Sequence, residues 1–121
     1  IKLNPSFGNG YLNRSVIYNQ RGDYPNALKD VESYLKLKPY NADLWYECAR
    51  LRNTLRKSQE ALQAVNNALK YGGNKGLYYY ERGRTYYLLN DFANAKQDIT
   101  QSQKLGYQPS DNRLSQEILS K

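Results

Sequence analysis

Few side chains here could carry chemistry in combination. The 121 residues include no His and a single Cys, Cys48. Without imidazole, the commonest general base near neutral pH and the commonest metal ligand are both missing. One thiol can close neither an intrachain disulfide nor a thiolate metal cage. No catalytic residue, metal site or cofactor is therefore expected. What remains is the chemistry of binding, carried by 13 Tyr and by regularly placed ion pairs. Tyr46-Glu47 with Arg50 recurs 34 residues later as Tyr80-Glu81 with Arg84. A Glu three residues before an Arg can be an ordinary helix-surface pair worth roughly 0.2–0.5 kcal/mol. Exposed Tyr and Arg are also the side chains that grip partners most often, because Tyr offers apolar area and a hydroxyl at low entropic cost. The expected partner-binding set is Asn13, Tyr46, Glu47, Arg50, Tyr80, Glu81, Arg84 and Tyr87.

These residues must be held by something regular, and the chain is regular at the same interval. Shifting it by 34 residues aligns Tyr11, Trp45 and Tyr79; Ser15, Ala49 and Gly83; Ala27, Ala61 and Ala95; and Val31, Val65 and Ile99. Leu37, Tyr71 and Leu105 form a further column. Within each unit the apolar residues are three and four apart, the helical spacing. Gly22 can end one helix in the left-handed region, Asp23 can cap the next, and Pro25 suits a first turn. Asn90-Asp91 repeats that turn, while in the second unit Ser58 is the expected cap. Each unit is then two antiparallel helices, and the small columns let their backbones approach closely. Trp45, Tyr11 and Tyr79 are expected beside those small residues.

The pattern resembles the tetratricopeptide repeat, W-x2-L-G-x2-Y, then A-x3-F, then P. The third unit reads Tyr79-x2-Arg82-Gly83-x2-Tyr86, then Ala95-x3-Ile99; the first reads Tyr11-x2-Arg14-Ser15-x2-Tyr18, then Ala27-x3-Val31, ending at Pro39. The second departs, with Arg52 in place of an aromatic and Gly73 in place of Pro. The resemblance implies an all-α fold, a right-handed α-α superhelix of three helix hairpins plus a C-terminal capping helix. The first helices of the pairs would line a concave groove. Repeats are expected at 8–41, 42–75 and 76–109, with 1–7 the tail of a preceding, truncated repeat and 110–121 a capping helix on which Leu114, Ile118 and Leu119 form the apolar stripe.

The implied function is a non-catalytic scaffold or adaptor, somewhat chaperone-like, that holds a partner's peptide segment or helix in the groove. Two other readings stay open: a targeting arm of a larger enzyme or secretion machine, and a basic surface for nucleic acid. The chain carries a formal charge of +7, and neutralising phosphates gives cheap affinity. Its basic residues are dispersed, however, Arg50, Arg52, Arg56 and Lys57 being the densest group, so nucleic acid is disfavoured. Some relatives grip a chaperone's acidic C-terminal tail with a Lys–Asn–Arg clamp. That clamp needs other residues where Leu12, Val16, Glu47, Leu77 and Glu81 stand, which disfavours such a ligand. No segment is long and apolar enough for membrane insertion, and a soluble cytoplasmic protein is expected. Arg52 is expected either to pair with Glu60 or to send its guanidinium to solvent. Cys48 is expected in the core.

Overall fold

The computed structural model describes residues 7–121, in which seven helices and no strand occur. They are α1 (Phe7–Gln20), α2 (Tyr24–Leu37), α3 (Ala42–Thr54), α4 (Ser58–Gly72), α5 (Gly76–Leu88), α6 (Phe92–Lys104) and α7 (Arg113–Leu119). The expected tail at 1–7 lies outside the described residues, apart from Phe7 at the start of α1.

Three tight turns make the pairs α1/α2, α3/α4 and α5/α6. Each turn places one residue in the left-handed region, at one position of the 34-residue period: Gly22 (φ 76°), Arg56 (φ 64°) and Asn90 (φ 63°). The next residue is the cap. Asp23 and Asp91 accept from the backbone N–H of Asn26 and Asn94. In the middle hairpin that place is Lys57, which makes no side-chain capping bond. Ser58, expected as the cap, is instead the first residue of α4. The middle turn therefore keeps the geometry with neither of the residues that favour it.

The small columns act as expected. Ala27, Ala49, Ala61 and Ala95 are fully buried, together with Val31, Val65 and Ile99. Cys48 is buried as well, and burial pushes its thiol up to about 11. The aromatic column beside them is only half-buried. Trp45 donates its Nε1–H to the Pro39 carbonyl at 2.7 Å, which ties the end of α2 to α3.

Two features appear only in three dimensions. Arg14 forks onto Asp30 at 2.8 and 2.7 Å, and Arg82 onto Asp98 at 2.8 and 3.0 Å, both pairs joining first helix to second. Asp30 and Asp98 are buried. The middle hairpin places buried Cys48 and Ala64 at the matching positions, replacing the ion pair by apolar contact. Arg52 meets the carboxylate of Glu32 on α2 at 3.2 Å and the backbone carbonyl of Glu60 at 2.9 Å. The expected Glu60 carboxylate is not its partner: the guanidinium takes the Glu60 backbone carbonyl with one nitrogen and the Glu32 carboxylate with the other.

At the C-terminal end, α7 begins at Arg113 rather than at 110, after Asp111 has bonded the Arg113 backbone N–H and guanidinium. Ile118 is fully buried against Ala95 and Ile99 of α6, and Leu114 packs beside it. Leu119 stays exposed.

Candidate functional site

The hairpins stack with a curvature that decides which helices face inward. α3 touches α5 directly, while the second helices α2, α4 and α6 make no comparably close approach to one another. α3 and α5 thus line the inner side, and the two strongest candidate clusters lie on them.

On α3, Tyr46 is half-buried, its ring centroid 6.0 Å from that of Tyr78. Burial first, then the charge of Glu81, pushes its hydroxyl up to about 12. Arg50 donates from Nε and Nη2 to both oxygens of Glu47, and this fork raises the guanidinium above its ordinary value. On α5, Tyr80 is half-buried and its ring lies 5.3 Å from that of Tyr107. Burial raises the Tyr80 hydroxyl, with the neighbouring Tyr107 next. Arg84 donates to Glu81 at 2.9 Å.

Glu81, expected on the groove surface, is buried. Its carboxylate also accepts from Asn53 Nδ2 at 2.7 Å, and Asn53 donates its other amide hydrogen to Thr85 at 2.7 Å. Asn53 is buried too. These three form a polar brace between α3 and α5 beneath the groove. Desolvation raises the Glu81 carboxyl, against the pull of Arg84 and Asn53. The brace holds Arg84 by its carboxylate, so the arginine head is positioned from below while remaining half-buried.

Tyr87 is drawn away from the cluster. Its ring lies 5.7 Å from Phe92, Lys121 stands over it, and its hydroxyl bonds Glu117 of the α7 segment, which raises it. Asn13 lies on α1 and is exposed. The structure thus brings Tyr46, Glu47, Arg50, Tyr80, Glu81 and Arg84 into one connected region and leaves Asn13 and Tyr87 at its ends.

Two residues of this region were missed by spacing. Tyr78 is fully buried, and its hydroxyl donates to Asp43 at the start of α3. Its alignment with Leu44 in an apolar column was the available signal. Tyr107 lies after α6 at the repeat position of Pro39 and Gly73, a column in which no aromatic recurs to mark it. The Arg50–Lys57 group does not form one basic patch. Arg50 faces Glu47 and Tyr46, Arg52 runs to Glu32, and Arg56 and Lys57 form a turn. Among the described residues, no helix is long and apolar enough to cross a membrane. Nor does any group of three or more His, Cys, Asp or Glu gather as metal ligands.

No protein-family model matches the sequence. Solved structures do. The first TPR of Spaghetti (RPAP3), bound to the HSP90 peptide SRMEEVD, is similar over 99% of this chain and 94% of that one, at TM-score 0.83 and 21% identity. The Yersinia enterocolitica type III secretion chaperone SycD, in complex with a peptide of the translocator YopD, aligns over 99% and 92%, at TM-score 0.81 and 14% identity. PcrH, in complex with the chaperone-binding region of PopD, aligns over 98% and 90%, at TM-score 0.80 and 18% identity. With its stacked antiparallel helix pairs, the chain has the helix-hairpin superhelix fold of the tetratricopeptide-repeat domains.

Proposed function

We propose that the protein is a non-catalytic interaction module that holds a peptide segment or helix of a partner protein against the inner faces of α3 and α5. The observation that carries this reading is the row formed by Tyr46, Tyr80 and Tyr107 with Arg50 and Arg84. These side chains are half-buried, and Arg84 is braced from beneath through Glu81 and Asn53. Such aromatic and guanidinium groups are already largely immobilised, so a ligand meets them at little further entropic cost. The similar domains of RPAP3, SycD and PcrH were solved with peptides of other proteins, which supports the same use of the fold here.

Arg50 and Arg84 are each neutralised within their own repeat by Glu47 and Glu81. A ligand led by a terminal carboxylate would have to displace those pairs. The groove is better matched to a segment that offers apolar surface to the tyrosines and neutral hydrogen-bonding groups to the arginine edges. Isothermal titration against candidate partner segments, repeated with Tyr46→Ala, Tyr80→Ala and the double variant, tests the assignment. Each truncation is expected to weaken binding by about fivefold or more, the effect of losing a residue that costs about 1 kcal/mol or more. Unchanged affinity in a folded double variant places the site elsewhere.

A further inference from the structure

A second periodic feature lies away from the groove. At the last turn of each second helix stands a lysine, Lys36, Lys70 or Lys104, each 34 residues from the next. Each is followed at once by an apolar residue that folding leaves substantially exposed: Leu37 (47%), Tyr71 (38%) and Leu105 (44%). Because the hairpins stack in one sense, the ends of α2, α4 and α6 fall on one edge of the solenoid. Tyr40, 75% exposed, joins the row, its ring 5.6 Å from that of Tyr71 and perpendicular to it, while Lys70 sits 5.3 Å over the Tyr71 ring. Lys38 and Lys75 add two more cations, both exposed.

The charge on this edge is unbalanced. Its carboxylates are Glu32, one turn before Lys36 and paired with Arg52 at 3.2 Å, Asp43, which Lys75 approaches at 3.7 Å, and Asp111, held by Arg113 at 2.7 Å. Among the described residues, Lys36, Lys38, Lys70 and Lys104 have no carboxylate partner. On the second helices themselves, Asp30 and Asp98 are withdrawn into the interior by Arg14 and Arg82.

From this edge we infer a further activity: reversible docking on an anionic lipid bilayer, with Lys36, Lys70 and Lys104 at the level of the headgroups and Leu37, Tyr40, Tyr71 and Leu105 against the boundary below them. Lysine stems can lie along apolar surface while their ammonium groups stay in the polar layer, and tyrosine favours the same boundary. Juxtaposed cations gain from the negative potential of acidic lipids, and adjacent apolar groups add area that salt does not screen. An exposed row repeated on successive hairpins suits an extended, laterally uniform surface. A single acidic peptide would instead need a cleft to fix its side chains.

Co-sedimentation of the 121-residue protein with phosphatidylcholine vesicles, with and without phosphatidylserine, tests the assignment. Binding is expected only with phosphatidylserine. The triple variant Lys36→Gln/Lys70→Gln/Lys104→Gln should weaken it about a hundredfold, since each lysine near an anionic surface contributes about fivefold. A second variant, Leu37→Ser/Leu105→Ser, should lose several-fold in binding and make what remains more salt-sensitive. The proposal fails if the parent ignores phosphatidylserine vesicles at low salt, or if a folded lysine variant binds them as well as the parent does. It fails equally if polyglutamate or duplex DNA competes as strongly as the vesicles while the leucine variant is unaffected, because the edge would then attract any polyanion.

Discussion

A methyl group added at Gly83 tests the claim that the hairpins are held at a set distance by matched small and large residues. A Cβ at Gly83 would lie 2.9 Å from Ile99 Cδ1, 3.0 Å from Ile99 Cγ1 and 3.2 Å from the Ala95 carbonyl oxygen. Carbon atoms rest comfortably at about 3.5–4.0 Å, and Ile99 and Ala95 are both buried. The expected overpacking cost is about 2 kcal/mol. Replacing Gly by Ala inside a helix returns about 1 kcal/mol, so Gly83→Ala should destabilise by about 1 kcal/mol. The other hairpins show the way out, since Ser15 and Ala49 align with Gly83 while Val31 and Val65 align with Ile99. Ile99→Val alone should cost about 1 kcal/mol by leaving a gap. In the double variant the new methyl occupies that gap, and stability should return close to that of the parent. Urea denaturation with a common slope measures all four proteins, and the coupling should be about 2 kcal/mol. A more stable Gly83→Ala, or two effects that simply add, would refute the matched-packing explanation.

Arg82→Cys should cost about 3 kcal/mol by stranding buried Asp98. Arg82→Cys/Asp98→Ala, which reproduces the Cys48 and Ala64 arrangement of the middle hairpin, should cost less than that single change; a double variant less stable than the single one contradicts the pairing. In the middle turn, Arg56→Gly relieves a left-handed side chain and Lys57→Asp supplies the missing cap. Each should raise stability by about 1 kcal/mol, read as a shift in the urea midpoint, and no gain from either would mean that the turn is not the weak joint. The Glu81 carboxyl is held above its ordinary value near 4.5 by burial, so the folded state binds that proton more tightly than the unfolded chain does. Its contribution to stability is then complete below about pH 4.5 and falls as pH rises through the raised folded value. The stability of the parent relative to Glu81→Gln should therefore decline from pH 4 toward pH 7, and a relative gain over that range would show that Arg84 and Asn53 outweigh desolvation.

Much of the architecture was legible in the residues alone. Helical spacing depends on contacts three and four residues apart, so it is written directly into the order of side chains. The alignment of Ala27 with Ala61 and Ala95, and of Val31 with Val65 and Ile99, marked the closest helix contacts before any coordinates. Depth of burial was not legible, because it depends on how far each hairpin is turned against the next. That rotation puts Glu81 under the groove with Asn53 and Thr85, though Glu47 at the same position of the period stays half-buried. It sends Arg52 to the carboxylate of Glu32 rather than to that of Glu60, and brings Tyr107, at the repeat position of Pro39 and Gly73, beside Tyr80. It also seats Tyr87 beneath the α7 segment and leaves Leu37, Tyr71 and Leu105 open on one edge. Spacing along a chain determines which residues share a helix face; only the angle between packed helices decides whether that face meets protein or water.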